Sequence, residues 1–393
     1  MNILMHNVMK QLQQMILILS LFAKSYSFVH AQSVNMEFER VVLESDSYLL
    51  SGIDLSHDGK TLAVSSTQGH PFYLVDPIEK TVIQKFDVGN WYAGSEVQYS
   101  AKDSYILLRQ LFYLDWNPNK DREVEFEIID AQTGDLIRHF NEYHQVIITD
   151  DEKFAVTVSD EEVVFWTLPD GKRHKAFKVK EATNAVAVSP DGKFIAVSHR
   201  PDAEKLKKNP RYKKNKQSLK TDIKFKEEVS VFDTEKFNLV YTVDDLYHVV
   251  YRLNFDSDGK FIYIQHIPHT KAQSAISFRE AYISMADAVS GTAMRKGFMA
   301  RTNAEPLYKL SPNGKYFGVV SYSNRFPEVQ IYDYEHMRML DRFEQAYRLW
   351  EKNAGGSIMP PDGRTAFDFL HDNETVVMIM GNHLVYWKPQ LKQ

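Results

Sequence analysis

The chain has 393 residues, 44% hydrophobic, 13% aromatic and 25% charged, with a formal charge of −5. That composition excludes a disordered chain, and the negative balance excludes whole-molecule electrostatic binding of nucleic acid. Cysteine is absent, which excludes disulfides, thiolate nucleophiles, cysteine-ligated zinc and lipid attachment at an N-terminal cysteine.

Residues 1–31 read as a secretory signal peptide. Lys10 precedes an apolar run of nine, Met15 to Ala23, and Val29-His30-Ala31 has the offsets of a cleavage site. A bilayer span needs about 20 apolar residues, and Lys24 closes this run early, so a retained anchor is disfavoured. The mature chain, 32–393, is expected to be exported, periplasmic or secreted, with no membrane span. Losing Lys10 and Lys24 takes its charge from −5 to −7.

A strand–turn–strand unit then recurs. LSHDGKTLAVS starts at Leu55, VSPDGKFIAVS at Val188, FDSDGKFIYIQ at Phe255 and LSPNGKYFGVV at Leu310. Recurrence at this scale marks an array. Alignment on the glycine of the turn gives seven anchors, Gly59, Asp103, Glu152, Gly192, Gly259, Gly314 and Asn373. Their spacings of 44, 49, 40, 67, 55 and 59 residues fit four-stranded blades of about 40–45 residues with insertions. Asn tolerates the left-handed conformation that the glycines adopt. Glu does not, so the turn at Glu152 is expected to be of another type.

Each unit continues into a third strand: FYLVDP, FEIIDAQTG, VVFWTLPDG, VSVFDTEK, YISMADAVSG, VQIYDYEH and LVYWKP. Most add a fourth after a hairpin turn. Four strands repeated seven times, almost without helical periodicity, describe an all-β chain folded as one seven-bladed β-propeller of antiparallel blades. The last unit has three strands, and MEFERVVLES stands unused at the start of the mature chain. That N-terminal strand is expected to complete blade seven and remove its open edge.

With their Ser-x-Asp-Gly-Lys turns and apolar-Asp third strands, the units from about Gly52 to Pro389 resemble WD-repeat and YVTN-type propeller repeats. The Gly-His dipeptide of typical WD repeats is missing, and only Phe165-Trp166-Thr167 and Tyr386-Trp387-Lys388 approach the Trp-Asp ending. The chain is therefore more similar to bacterial YVTN-like propellers. The resemblance implies a fold and leaves the ligand open.

In such a ring the tight first turns occupy one face. The strand-two-to-three loops and the inter-blade loops occupy the other. The second loops are long in blade two (QLFYLDWNPNKDREVEF), blade four (200–226), blade five (HIPHTKAQSAISFREA) and blade six (SNRFPE). Binding loops are commonly carried this way on a rigid scaffold. The inter-blade loops supply aromatic and imidazole side chains: Tyr48, Trp91, Tyr92, Tyr143, His144, Tyr247, His248, Tyr347 and Trp350. Around a channel mouth they suit sugars, peptides or protein side chains; alternatively they wedge between blades. Trp91 and Trp350 are expected to be exposed. The blade-four insertion, 200–226, has 11 Lys and Arg against three Asp and Glu. It reads as a solvated, mobile loop or as a grip on an anionic partner.

Catalytic motifs are missing. His266-Ile267-Pro268-His269 has two imidazoles without the carboxylate or thiolate of a metal site. His266 and His199 are expected to be hydrogen-bonded strand-end residues. Gly355-Gly356-Ser357 lacks a nucleophile elbow, and the sequon Asn373-Glu374-Thr375 falls in a tight turn. The expectation is a non-catalytic binding module without cofactor or metal, acting on a protein, peptide or glycan through its long-loop face. The alternative is a lactonase-like hydrolase or lyase, which requires His, Arg and carboxylates converging on one cavity.

Overall fold

The computed structural model describes residues 37–43, 49–67, 72–87, 91, 93–111, 124–269, 279–302, 307–323, 326–344 and 365–391. Segment 1–31, Tyr48, Tyr92, Tyr347, Trp350 and most of the long loops of blades two and five lie outside them. The unit Glu39–Gln393 is a seven-bladed β-propeller of seven four-stranded antiparallel sheets. The innermost strands are β2 (Leu50–Leu55), β6 (Ser95–Tyr99), β10 (Gln145–Ile148), β14 (Ala182–Val188), β18 (Val249–Phe255), β22 (Tyr308–Leu310) and β26 (Phe367–Phe369). Blade seven runs β26, β27 (Val376–Met380), β28 (His383–Lys388), and β1 (Glu37–Val42) is its fourth strand. The N-terminal strand thus closes the ring as expected.

The core lies between blades. Alternation along the strands sends apolar residues to both sheet faces. Leu50, Ile53, Leu62 and Val64 of blade one pack with Val377, Ile379, Leu384 and Tyr386 of blade seven. Ala185, Val229 and Val231 of blade four pack likewise with Val250, Leu253 and Ile264 of blade five.

All seven anchors adopt positive φ, between 58° and 72°. Each donates its N–H to the carbonyl three residues back, as Gly192 does to Ser189 (2.8 Å) and Glu152 to Thr149 (2.8 Å). The turn at Glu152 is therefore of the same type as the others, contrary to the expectation. The non-glycine anchors offset the left-handed strain by reaching the preceding blade. Asp103 accepts from His57 N (2.8 Å) and Asp58 N (3.0 Å). Glu152 accepts from Lys102 N (2.6 Å), and Asn373 from Asn313 N (2.8 Å).

The blade-four insertion is not a bare loop. It folds as α1 (Ala203–Lys208), a 3-10 turn Pro210–Tyr212 and α2 (Lys216–Phe225). Asp202 caps α1 and Asn215 caps α2. Leu206, Tyr212 and Asp222 are buried, and Tyr212 Oη donates to Asp222 Oδ2 (2.7 Å). Charge density hid this apolar and capping pattern. Among the described residues no helix is long and apolar enough to cross a membrane.

Candidate functional site

Two regions gather chemistry: the axial channel and the loop face where blades four and five meet.

The channel is a cavity of about 1130 Å³ lined by the inner strands. Its register follows from the turn anchors. The residue five before each anchor is Asp54, Gln98, Ile147, Ala187, Asn254, Lys309 or Asp368, and all but Ala187 line the cavity. Lys309 Nζ of blade six contacts Asp54 Oδ1 of blade one and donates to Asp368 Oδ2 of blade seven (3.0 Å). Asp368 Oδ2 also accepts from Leu55 N (3.0 Å), and Asp54 Oδ2 from Tyr99 N of blade two (2.6 Å). One ammonium and two carboxylates thereby stitch four consecutive blades across the closure seam. Burial pushes Asp54 up to about 6, against the pull of Lys309. Burial alone would lower Lys309, yet Asp368 and Asp54 hold it above the ordinary lysine range.

Two positions further from the turns, Arg252 of blade five contacts Glu96 of blade two. These blades are not neighbours, so the pair is a charged crossbar over the channel. Arg109 joins Glu96 from its own blade (3.3 Å). The Glu96 carboxylate raises Arg252 further.

On the loop face, a row of rings crosses blade five. His248 precedes β18, His266 is in β19 (Phe261–Ile267) and Tyr282 is in β20 (Arg279–Asp287). Their centroids are 5.3 to 5.6 Å apart. The insertion leans on this row: Lys226 Nζ is 3.4 Å from His248 Nε2, and Phe225 packs on His269 at 4.8 Å. Burial, then the neighbouring cationic groups, push His248 down to about 4 and His266 to about 3. His266 Nε2 meets Ser284 Oγ (2.9 Å) and His199 Nε2 meets Ser230 Oγ (2.7 Å), the strand-end hydrogen bonding expected of both. Behind the row, Glu227 is 1% exposed. It accepts from Thr183 Oγ1 (3.0 Å) and Val250 N (2.8 Å), with Arg200 3.8 Å away. Burial raises Glu227 to about 7.

The sequence-derived aromatics divide. Trp91 is 8% exposed, packed in the core between blades one and two, and its Nε1 donates to Glu125 (2.9 Å). Its expected exposure is corrected: the indole wedges between blades. Tyr247 is 2% exposed and wedges likewise. Tyr143 packs edge-on against Phe140 and Trp166. His144 lines the channel and meets Asp160 (2.6 Å). Among the described candidates, His248 joins the ring row on the loop face, and Tyr247 packs edge-on against its His266 (5.3 Å). Sequence reading missed the channel ring, although counting five back from each anchor finds it.

Fold and sites together define a seven-bladed propeller with a charged, cross-braced channel and a basic helical insertion. No protein-family profile matches the chain, and no curated protein does. Among solved structures it is similar to Kuenenia stuttgartiensis hydrazine synthase, with a TM-score of 0.54 at 14% identity, over 89% of this chain and 98% of that one. At that identity the likeness is one of fold.

Proposed function

We propose that this is an exported, non-catalytic binding module of WD-repeat or YVTN-type kinship, whose loop face captures an anionic partner. The carrying observation is the insertion 200–226. Its 11 basic residues against three acidic ones sit on a capped, internally anchored helical pair that rests on the ring row of blade five. Lys205, Lys208, Lys216 and Lys220 are all exposed on it. A folded cationic surface loses less entropy on binding than a mobile loop does. The rings beside it offer stacking area for a peptide or glycan.

The lactonase-like reading keeps one supporting observation, since Asp54, Glu96, Arg252 and Lys309 do converge on one cavity. Against it, these charges are spent on one another. The test is crosslinking and co-purification of the exported protein, wild type against a variant with those four lysines changed to Gln. The expected result is loss of the partner in the variant at about 0.15 M salt, with Tm unchanged. Equal capture by both proteins overturns the loop-face reading. Turnover of a lactone panel, abolished by Asp54→Asn, would put the enzyme in its place.

A further inference from the structure

We propose that the axial channel is a second binding site, for an uncharged polyhydroxylated molecule such as a sugar or cyclitol. The ring five residues before the anchors is two-sided. Blades five, six, seven, one and two, which are contiguous, present Asn254, Lys309, Asp368, Asp54 and Gln98. On the other side blade three presents Ile147, while Ala187 of blade four is buried in the core and set back from the cavity. A pyranose or cyclitol has the matching division, with hydroxyls around its edge and C–H groups on its face.

The charges of the polar arc are already committed. Lys309 lies between two carboxylates, so an anionic ligand must displace an aspartate and a cationic one must displace the lysine. A hydroxyl needs neither exchange, because it both donates and accepts. It can add to the outer edge of an ion pair and to an amide at once. The amides face the cavity: Gln98 and Asn254 are exposed and line it, with Asn254 Oδ1 accepting a long bond from Gln265 Nε2 (3.5 Å). The Arg252–Glu96 crossbar narrows the channel on the loop side. The seat therefore faces the tight-turn mouth, where His57, Asp150 and His371 also line the cavity. A cavity of about 1130 Å³ has room for one or two sugar rings, given that ligand sites run to roughly 1,000 Å³. This site is separate from the loop face and does not depend on it.

The test is calorimetric titration of the whole protein with glucose, galactose and myo-inositol, and with glucuronate and glutamate as charged controls. Wild type is expected to bind at least one neutral compound. Gln98→Ala and Asn254→Ala should each weaken it by about three- to tenfold, and the double variant by the product. Both amides are exposed, so Tm should hold; if the double variant is destabilised, the single variants carry the reading. The proposal is overturned if no neutral compound binds below about 10 mM. Unchanged affinity in the variants, or binding of the charged compounds alone, overturns it equally.

Discussion

Single residues account for much of what is unusual in this propeller. Asp103, Glu152 and Asn373 occupy a left-handed position that glycine holds elsewhere, and their side chains reach the preceding blade's turn in return. His248 and His266 titrate in a setting that keeps them neutral. Their folded values, about 4 and about 3, lie below the ordinary 6.5, so below pH 6.5 the unfolded chain binds more protons and stability falls with pH. Glu227 works in the opposite sense. Raised to about 7 from 4.5, it contributes stability that is full below pH 4.5 and lost as pH rises through 7. Lys226, Asp222, Glu280, Tyr247 and Tyr282 surround the same imidazoles. The expected outcome is that His248→Gln with His266→Gln flattens the decline in unfolding free energy between pH 6.5 and 4. Parallel curves for variant and wild type, measured by denaturant titration, would refute it.

Among the elements, the insertion most changes the reading. Eleven basic residues obscure a helical pair whose only inward groups are a few, such as Leu206, Tyr212 and Asp222. A helix docked through so few contacts opens locally before the ring does. Tyr212→Phe removes the donor to Asp222 and leaves a buried carboxylate short of a partner, at a cost of about 1–3 kcal/mol. Trypsin should then cut within 205–224 about tenfold faster while the global melting temperature barely moves. An unchanged cleavage rate would mean that this contact does not hold the pair together. The strands, by contrast, follow their sequence signals closely, because period-two alternation and turn chemistry are local properties.

At the level of the whole molecule, the ring is closed twice. The β1 strand covers the edge of blade seven, and the Lys309–Asp368–Asp54 relay ties blades six, seven, one and two on the channel wall. Lys309→Met would leave two facing carboxylates without their cation. It should cost about 3 kcal/mol, the low end for breaking a buried pair because one side of the relay is wet. Adding Asp54→Asn and Asp368→Asn should restore most of that loss. Urea unfolding of the three proteins checks both parts, and a neutral Lys309→Met would mean the relay does not hold the seam.

The fold was legible because it is written locally and repeatedly. Turn anchors, third-strand aspartates and alternation determine seven blades, and the spare N-terminal strand determines the closure. The sites were less legible. Trp91 and Tyr247 stand in inter-blade loops like binding residues, yet packing between blades absorbs them, and that depends on how neighbouring sheets meet. Asp54 and Lys309 are 255 positions apart in sequence and meet only when the ring closes. Glu96 and Arg252 meet only because the channel is narrow enough for two side chains to span. Local propensity specified the scaffold; the pairing of charges in the channel, and the seating of the insertion on blade five, were decided by tertiary structure alone, because both join residues that no local signal relates.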